Sequence, residues 1–208
     1  MTFYKNRKKF SNISVKIGSA FSRFGLTPNQ WTIISILPAI IALYYLVNLQ
    51  FAEAALFFII SSFLDLVDGS VARVMGKTTK LGAYLDTMMD RYVEFLIVLG
   101  VLFVALQGMM PSFFLPAAAW VFIYLFGSMM TSYAKAAAKE KELTDSEIKG
   151  GLLERAERLI ILFAGVLFAE FSIMYLTYFM VFLAVVSNIT ALQRACIARK
   201  ASKKKWPL

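Results

Sequence analysis

Asp65 and Asp68 lie at the end of one apolar run and Asp86 and Asp90 at the start of the next. The surrounding strings are Asp65-Leu-Val-Asp68-Gly69-Ser-Val-Ala72-Arg73 and Gly82-Ala-Tyr-Leu-Asp86-Thr-Met-Met-Asp90. On a helix, positions i, i+3, i+4, i+7 and i+8 share one face. Asp65, Asp68, Gly69, Ala72 and Arg73 have that spacing, and Gly82, Asp86 and Asp90 recur every fourth residue. The short basic connection between the two runs makes them antiparallel neighbours, so both faces can converge on one cleft. A carboxylate at membrane depth costs a few kcal/mol, and four together repel one another. A divalent cation removes both costs, and hard oxygen ligands select Mg2+, Mn2+ or Ca2+. Gly69, Ala72 and Gly82 leave room for a ligand against the backbone, and Arg73 is a permanent cation suited to phosphate. The competing account is that each Asp is a helix-end charge paired with Arg73, Lys77, Lys80 or Arg91. That account explains one aspartate well, but not four on matched faces with small residues between them.

The composition says where these carboxylates must sit. Of 208 residues, 59% are hydrophobic and the mean hydropathy is +0.67, beyond the usual range of soluble domains. The sequence has no His and one Cys, so imidazole chemistry, His ligation and an internal disulfide are excluded. Carboxylates, Lys and Tyr remain as the ionisable groups. The net charge of +9 is spread between long apolar runs, which argues against nucleic acid and for anionic head groups or phosphate substrates.

Spanning the hydrocarbon takes about 20 mostly apolar residues. Runs at about 31–47, 51–74, 81–106, 113–137, 153–171 and 174–197 meet that need, and Pro38 is expected to kink the first. The expectation is an all-α, six-transmembrane-helix bundle forming one domain over 1–208. Its core is 29–198, followed by a basic tail at 199–208 that contacts anionic lipid. All 22 Lys and Arg lie before the first run, in alternate connections or at the inner ends of runs, which places both termini in the cytoplasm. Residues 1–26 show no signal-peptide core. Phe10, Ile13, Ile17, Phe21 and Phe24 instead recur at helical spacing, which predicts an amphipathic helix lying in the membrane interface.

The string Asp65-x2-Asp68-Gly69-x2-Ala72-Arg73-x8-Gly82-x3-Asp86-x3-Asp90 resembles the signature of the CDP-alcohol phosphotransferases. That resemblance implies displacement at the β-phosphate of a CDP-linked lipid by an alcohol, with release of CMP. It implies Asp65, Asp68, Asp86 and Asp90 as metal ligands, with Asp90 also deprotonating the acceptor hydroxyl. The cofactor would be Mg2+, two ions, with Mn2+ possible. Gly69, Ala72, Arg73, Thr79 and Gly82 would bind the CDP-lipid, and Asn29 and Thr32 resemble a further donor-binding segment. For that segment, helix capping by Thr27 or Asn29 is an equal alternative. A homodimer in the cell membrane with a cytoplasmic active site is also implied.

The signature leaves the acceptor open. Lys135, Arg155 and Arg194 fall near the inner ends of three further runs and could form a basic pocket for a phosphorylated alcohol. This trio, with Gly150-Gly-Leu-Leu-Glu154-Arg155-Ala-Glu157-Arg158, is similar to the phosphoinositol-accepting branch, whose acceptor is inositol 1-phosphate. Pairing of Arg155 and Arg158 with Glu154 and Glu157 is the plainer alternative. Glycerol 3-phosphate would use a similar pocket. A carboxylate-lined cation or proton transporter is the rival of another class, but it would place its acids nearer the midplane. Diacylglycerol and archaeol lipids are not distinguished.

Overall fold

The computed structural model describes residues 7–144, 148 and 150–205, with side chains from 14 to 202. Phe10 and Ile13 of the expected amphipathic face therefore lie outside the described side chains. The described residues form helices and no strands, apart from one isolated bridge between Phe113 and Leu115. In order the helices are α1 (Arg7–Ser22), α2 (Pro28–Ile34), α3 (Ile36–Val47), α4 (Phe51–Val74), α5 (Lys80–Leu106), α6 (Ala117–Glu140), α7 (Arg155–Ala169) and α8 (Ile173–Lys205).

Four stretches are long and apolar enough to cross a membrane: Pro28–Val47, Phe51–Val74, Ala117–Glu140 and Ile173–Ser202. The other two expected spans do form helices, with different character. The first half of α5 carries Lys80, Asp86, Asp90, Arg91 and Glu94, and α7 has only 15 residues. The fourth run starts later than expected, at Ala117, because Pro116 caps the helix and Phe113–Leu115 pair with each other instead. The irregularity attributed to Pro38 falls at Ser35, between α2 and α3. A proline at 38 cannot donate to the carbonyl four residues earlier, so the ladder is interrupted there. Ser61 of α4 donates to the Ser35 carbonyl at 2.7 Å, a buried bond at the break.

The chain divides into two compact units, residues 1–48 with 53–97 and residues 49–52 with 98–208. In the first unit, α1 packs on α4. Ile17, Phe21, Leu26, Leu64 and Met75 surround a buried cluster of Trp31, Val67 and Val71. The Phe21 ring meets Trp31 and Phe63 edge-on, at 5.3 and 5.8 Å between centroids. Ile17 and Phe21, two residues of the expected lipid-facing stripe, are thus covered by protein. Gly18 permits the contact, since a Cβ there would collide with the Ser70 carbonyl of α4.

The second unit is built on α8, against which α6 and α7 pack. Small residues bring the helices together, as expected where lipid tails supply no hydrophobic drive between helices. Asn188 of α8 donates to the Ile123 carbonyl of α6 at 3.0 Å and to the Ala184 carbonyl at 2.8 Å. It does so by lying against Gly127, where a Cβ would come within 2.5 Å of its amide nitrogen. On α7, Gly165 likewise admits Phe179. Gly127→Val is therefore expected to destabilise the purified protein by about 1–3 kcal/mol through overpacking. Thermal unfolding in detergent should show a lowered midpoint, whereas Gly108→Ala, in open space past α5, should act only through its backbone angle.

Candidate active site

The site in the first unit is assembled from the ends of three helices. Thr27 caps α2: its hydroxyl accepts from the Gln30 N–H at 3.4 Å, and its own N–H donates to Gln30 Oε1 at 2.7 Å. With Pro28 at the first helical position, this is a capping box. The cap is Thr27, so Asn29 is free to present its side chain elsewhere. At the far end of α4, Gly76 adopts φ +63° and Lys77 N–H bonds the Ala72 carbonyl at 3.0 Å. This left-handed closure ends α4 at Val74, one residue past Arg73. Thr79 then caps α5, its hydroxyl accepting from Gly82 N–H at 2.9 Å.

These three ends enclose a cavity of about 170 Å³. All seven residues expected at the donor site, Asn29, Thr32, Gly69, Ala72, Arg73, Thr79 and Gly82, line it together with Asp68 and Asp86. Gly82 is required by space, because a Cβ there would stand 3.1 Å from Thr79 Oγ1 and 3.2 Å from Asn29 Oδ1. At Gly69 a Cβ would meet only the tip of Arg73, at 3.7 Å. Lys77, considered in the sequence only as a partner for the aspartates, also lines the cavity, as do Pro28, Thr78 and Ala83, which had no separate signal. Their position beside Asn29, Thr79 and Gly82 was the available clue.

Asp65, Asp68 and Asp86 offer carboxylate oxygens that all lie within 4.8 Å of one another. The two helical faces expected to converge therefore do. Asp90, the fourth expected ligand, is half-buried one turn further along α5 and lies outside this group of three. Asp68 is buried, with 3% exposure. The Thr32 hydroxyl lies within hydrogen-bonding reach of two acceptors, Asp68 and the Pro28 carbonyl, the latter at 3.1 Å, and has one proton to give. Asp68 Oδ2 is buried with no hydrogen-bond partner among the described residues. Buried carboxylate oxygens are normally satisfied. An oxygen-only donor set with an unsatisfied buried oxygen at its centre fits a hard divalent cation.

Two cations near the site make further bonds of their own. Arg91 pairs at 2.7 Å with Glu94, which is fully buried and had no assigned role in the sequence. Arg73 bonds the hydroxyls of Ser14 and Ser70 at 2.8 and 3.3 Å.

In the second unit, Arg194 is buried and donates to the Gly150 carbonyl at 3.1 Å and the Thr131 carbonyl at 2.8 Å. Thr131 is one helical turn before Lys135 on α6. The segment leading to Arg155 is tied to α8 by Leu152 N–H to Gln193 at 3.0 Å and Leu153 N–H to Thr190 at 3.3 Å. Arg194 thus holds α6 and the 150–154 segment together, while Lys135 and Arg155 remain half-buried. Glu157 accepts the Glu154 N–H at 2.8 Å in the capping box of α7. Arg158 is 1% exposed and reaches Ser128 at 3.3 Å. It is the more deeply buried arginine of the Glu-Arg-x-Glu-Arg string, a depth that its charge alone could not reveal.

Residues 25–200 match the CDP-alcohol phosphatidyltransferase family. The chain belongs to that family. It is an enzyme of that reaction class and a membrane protein. It is 35% identical over 200 residues to the archaetidylinositol phosphate synthase of Pyrococcus horikoshii, covering 94% of this chain and 96% of the relative. It is 32% identical over 194 residues to the phosphatidylinositol phosphate synthase of Mycobacteroides abscessus, covering 91% and 84%. The fold matches the crystal structure of the Mycobacterium tuberculosis phosphatidylinositol phosphate synthase with CDP-DAG bound, at TM-score 0.77 and 29% identity over 90% of this chain and 94% of that one. A structure of the same synthase with manganese and citrate matches at TM-score 0.77 and 30% identity, covering 89% and 88%.

The unsatisfied Asp68 oxygen gives a direct expectation. Asp68→Asn should weaken Mn2+ binding on the order of tenfold or more, since affinity for hard cations follows ligand charge. Loss of the free-ion EPR signal on titration reads this out, and unchanged affinity would remove Asp68 from the metal site.

Proposed function

We propose that this enzyme transfers a phosphatidyl or archaetidyl group from a CDP-linked lipid to inositol 1-phosphate, releasing CMP. The observation that carries the reading is the cavity that gathers Asn29, Thr32, Gly69, Ala72, Arg73, Thr79 and Gly82 beside Asp68 and Asp86. The relatives named above, which are synthases of inositol-phosphate lipids, support the choice of acceptor.

In this reading the cytidine diphosphate enters between the α2 start and the α4–α5 turn. Gly69 and Gly82 let it approach the backbone, and Arg73 meets its phosphates. Asp65, Asp68 and Asp86, with Asp90 on the acceptor side, would hold Mg2+, as two ions, with Mn2+ as a substitute. Bound there, the metal neutralises charge on the diphosphate, the main demand of phosphoryl-type transfer. Asp90 takes the proton from the inositol hydroxyl, whose oxygen forms the new bond to the β-phosphorus. The bond from that phosphorus to the CMP oxygen breaks, and CMP leaves with the electron pair. Without His in the chain, a carboxylate is the base available for this step.

Lys135 and Arg155 would hold the phosphate of the acceptor, with Arg194 holding the α6 turn and the 150–154 segment that carry them. The basic connections support a site on the cytoplasmic side of the cell membrane, in a six-span subunit with both termini inside and an interfacial α1. Family resemblance supports a homodimer.

Purified protein given CDP-lipid, Mg2+ and inositol 1-phosphate should release CMP, and Asp90→Asn should lower kcat by about 10²–10⁴-fold, the usual range for losing a general base. Full activity in Asp90→Asn, or no CMP with any alcohol in a panel including glycerol 3-phosphate, would overturn the reading. In the same assay, Lys135→Ala and Arg155→Ala should raise the acceptor KM and leave the donor KM unchanged. The opposite split would move these residues to the donor.

A further inference from the structure

Arg73 lines the cavity from the end of α4 and is exposed to solvent. A free arginine there would sample many rotamers, and ordering it on a ligand would cost affinity. Its guanidinium is held, however, and by a residue from another helix. Nη2 donates to Ser14 Oγ of α1 at 2.8 Å and more weakly to Ser70 Oγ at 3.3 Å. Ser14 and Ser70 are themselves 2.9 Å apart.

The direction of each bond follows from the proton count. Ser70 spends its hydroxyl proton on the Leu66 carbonyl at 2.8 Å. A hydroxyl has one proton to give. The bond between the two serines therefore runs from Ser14 to Ser70, and Ser14 Oγ keeps its lone pairs for Arg73. The chain Arg73 to Ser14 to Ser70 to Leu66 uses every donor in one sense. Nη1 and Nε of Arg73 have no protein partner among the described residues, so the fixed nitrogen is the one on α1 and the others are available for a ligand.

Ser14 reaches this position because of Gly18, one turn later on the same face of α1. Gly18 is buried, and a Cβ there would strike the Ser70 carbonyl and come within 2.7 Å of a Val74 methyl. Close approach at Gly18 sets the register that puts Ser14 over Ser70 and Arg73. Ile17 and Phe21 hold the same contact from the side.

We infer that Ser14 is a positioning residue for donor binding: through it α1 aims the Arg73 guanidinium at the phosphates of the CDP-lipid. This rests on the proposal that Arg73 meets those phosphates. Ser14 touches neither substrate, so it acts only through Arg73.

The test is a double-mutant cycle on the full-length enzyme, with CMP release as readout. Ser14→Ala should raise the KM for CDP-lipid about fivefold, the scale of one modest hydrogen bond. Its kcat and acceptor KM should stay unchanged. Ser14→Thr, which keeps the hydroxyl, should stay within about twofold of the parent, well inside that loss. On an Arg73→Ala background, Ser14→Ala should add nothing further. A Ser14→Ala loss that persists in full without Arg73, falls on kcat or the acceptor, or is matched by Ser14→Thr would overturn the inference. An unchanged donor KM in Ser14→Ala, with Arg73→Ala raising it strongly, would remove Ser14 and leave the role of Arg73 standing. An unchanged donor KM in Arg73→Ala would remove both. Thermal unfolding of Ser14→Ala in detergent should match the parent, and a large drop with Ser14→Thr equally affected would assign Ser14 to folding alone.

Discussion

Three carboxylates whose oxygens lie within 4.8 Å of one another at facing helix ends repel one another and call for a countercharge. The first unit is organised around that constraint. Of the nearby cations, Arg91 also pairs with Glu94 and Arg73 also bonds two serines, so neither is given over to the three carboxylates alone. An oxygen-only cluster of this kind suits a divalent cation, and small residues stand where larger side chains would fill the cleft. Gly82 shows the tightness of that arrangement: a methyl group there would press on both Thr79 and Asn29.

The convergence of the Asp-bearing faces was legible because it depends on local periodicity. Both strings keep helical spacing, and α4 and α5 are continuous through them. The gathering of the residues expected at the donor site round one cavity was legible for the same reason, since a turn as short as 75–79 leaves little freedom between the helix ends. The choice between capping and binding at 27–32 could not be made from the sequence, because Thr27, Asn29 and Thr32 all suit either role. The structure divides the roles, with Thr27 taking the cap through Gln30 and leaving Asn29 and Thr32 to the cavity.

Features set by tertiary contact were less legible. An arginine near a helix end carries the same sequence signal whether it faces solvent, lipid phosphate or the protein interior. Arg194 and Arg158 are both buried, and Arg194 bonds backbone carbonyls on two segments far apart in the chain. Nothing in their spacing distinguishes them from the half-buried Arg155. Span counting met a similar limit. Hydropathy treats α5 as one apolar run, but its charged first half is committed to the site, and α7 is short because the 150–154 segment is strapped to α8 before the helix begins. The amphipathic stripe of α1 shows that periodicity finds the apolar face without naming what covers it. Ile17 and Phe21 meet Trp31, Val67 and Val71.

Small residues explain why polar groups can be used for positioning in so apolar a chain. Without a solvent-driven force between helices, a hydrogen bond across them forms only if the backbones come close. Gly127 brings α6 to Asn188, and Gly18 brings α1 to Ser70. Gly127 admits the Asn188 amide itself, while Gly18 admits the Ser70 backbone carbonyl and so brings Ser14 to the Ser70 hydroxyl; the bonds formed then fix the register more narrowly than apolar packing would. The side chains so fixed differ in consequence. Asn188 is consumed by two carbonyls and contributes rigidity alone. The Ser14–Ser70 pair ends on a charged group that borders a cavity, so the same packing device there carries orientation from a helix junction to a binding surface.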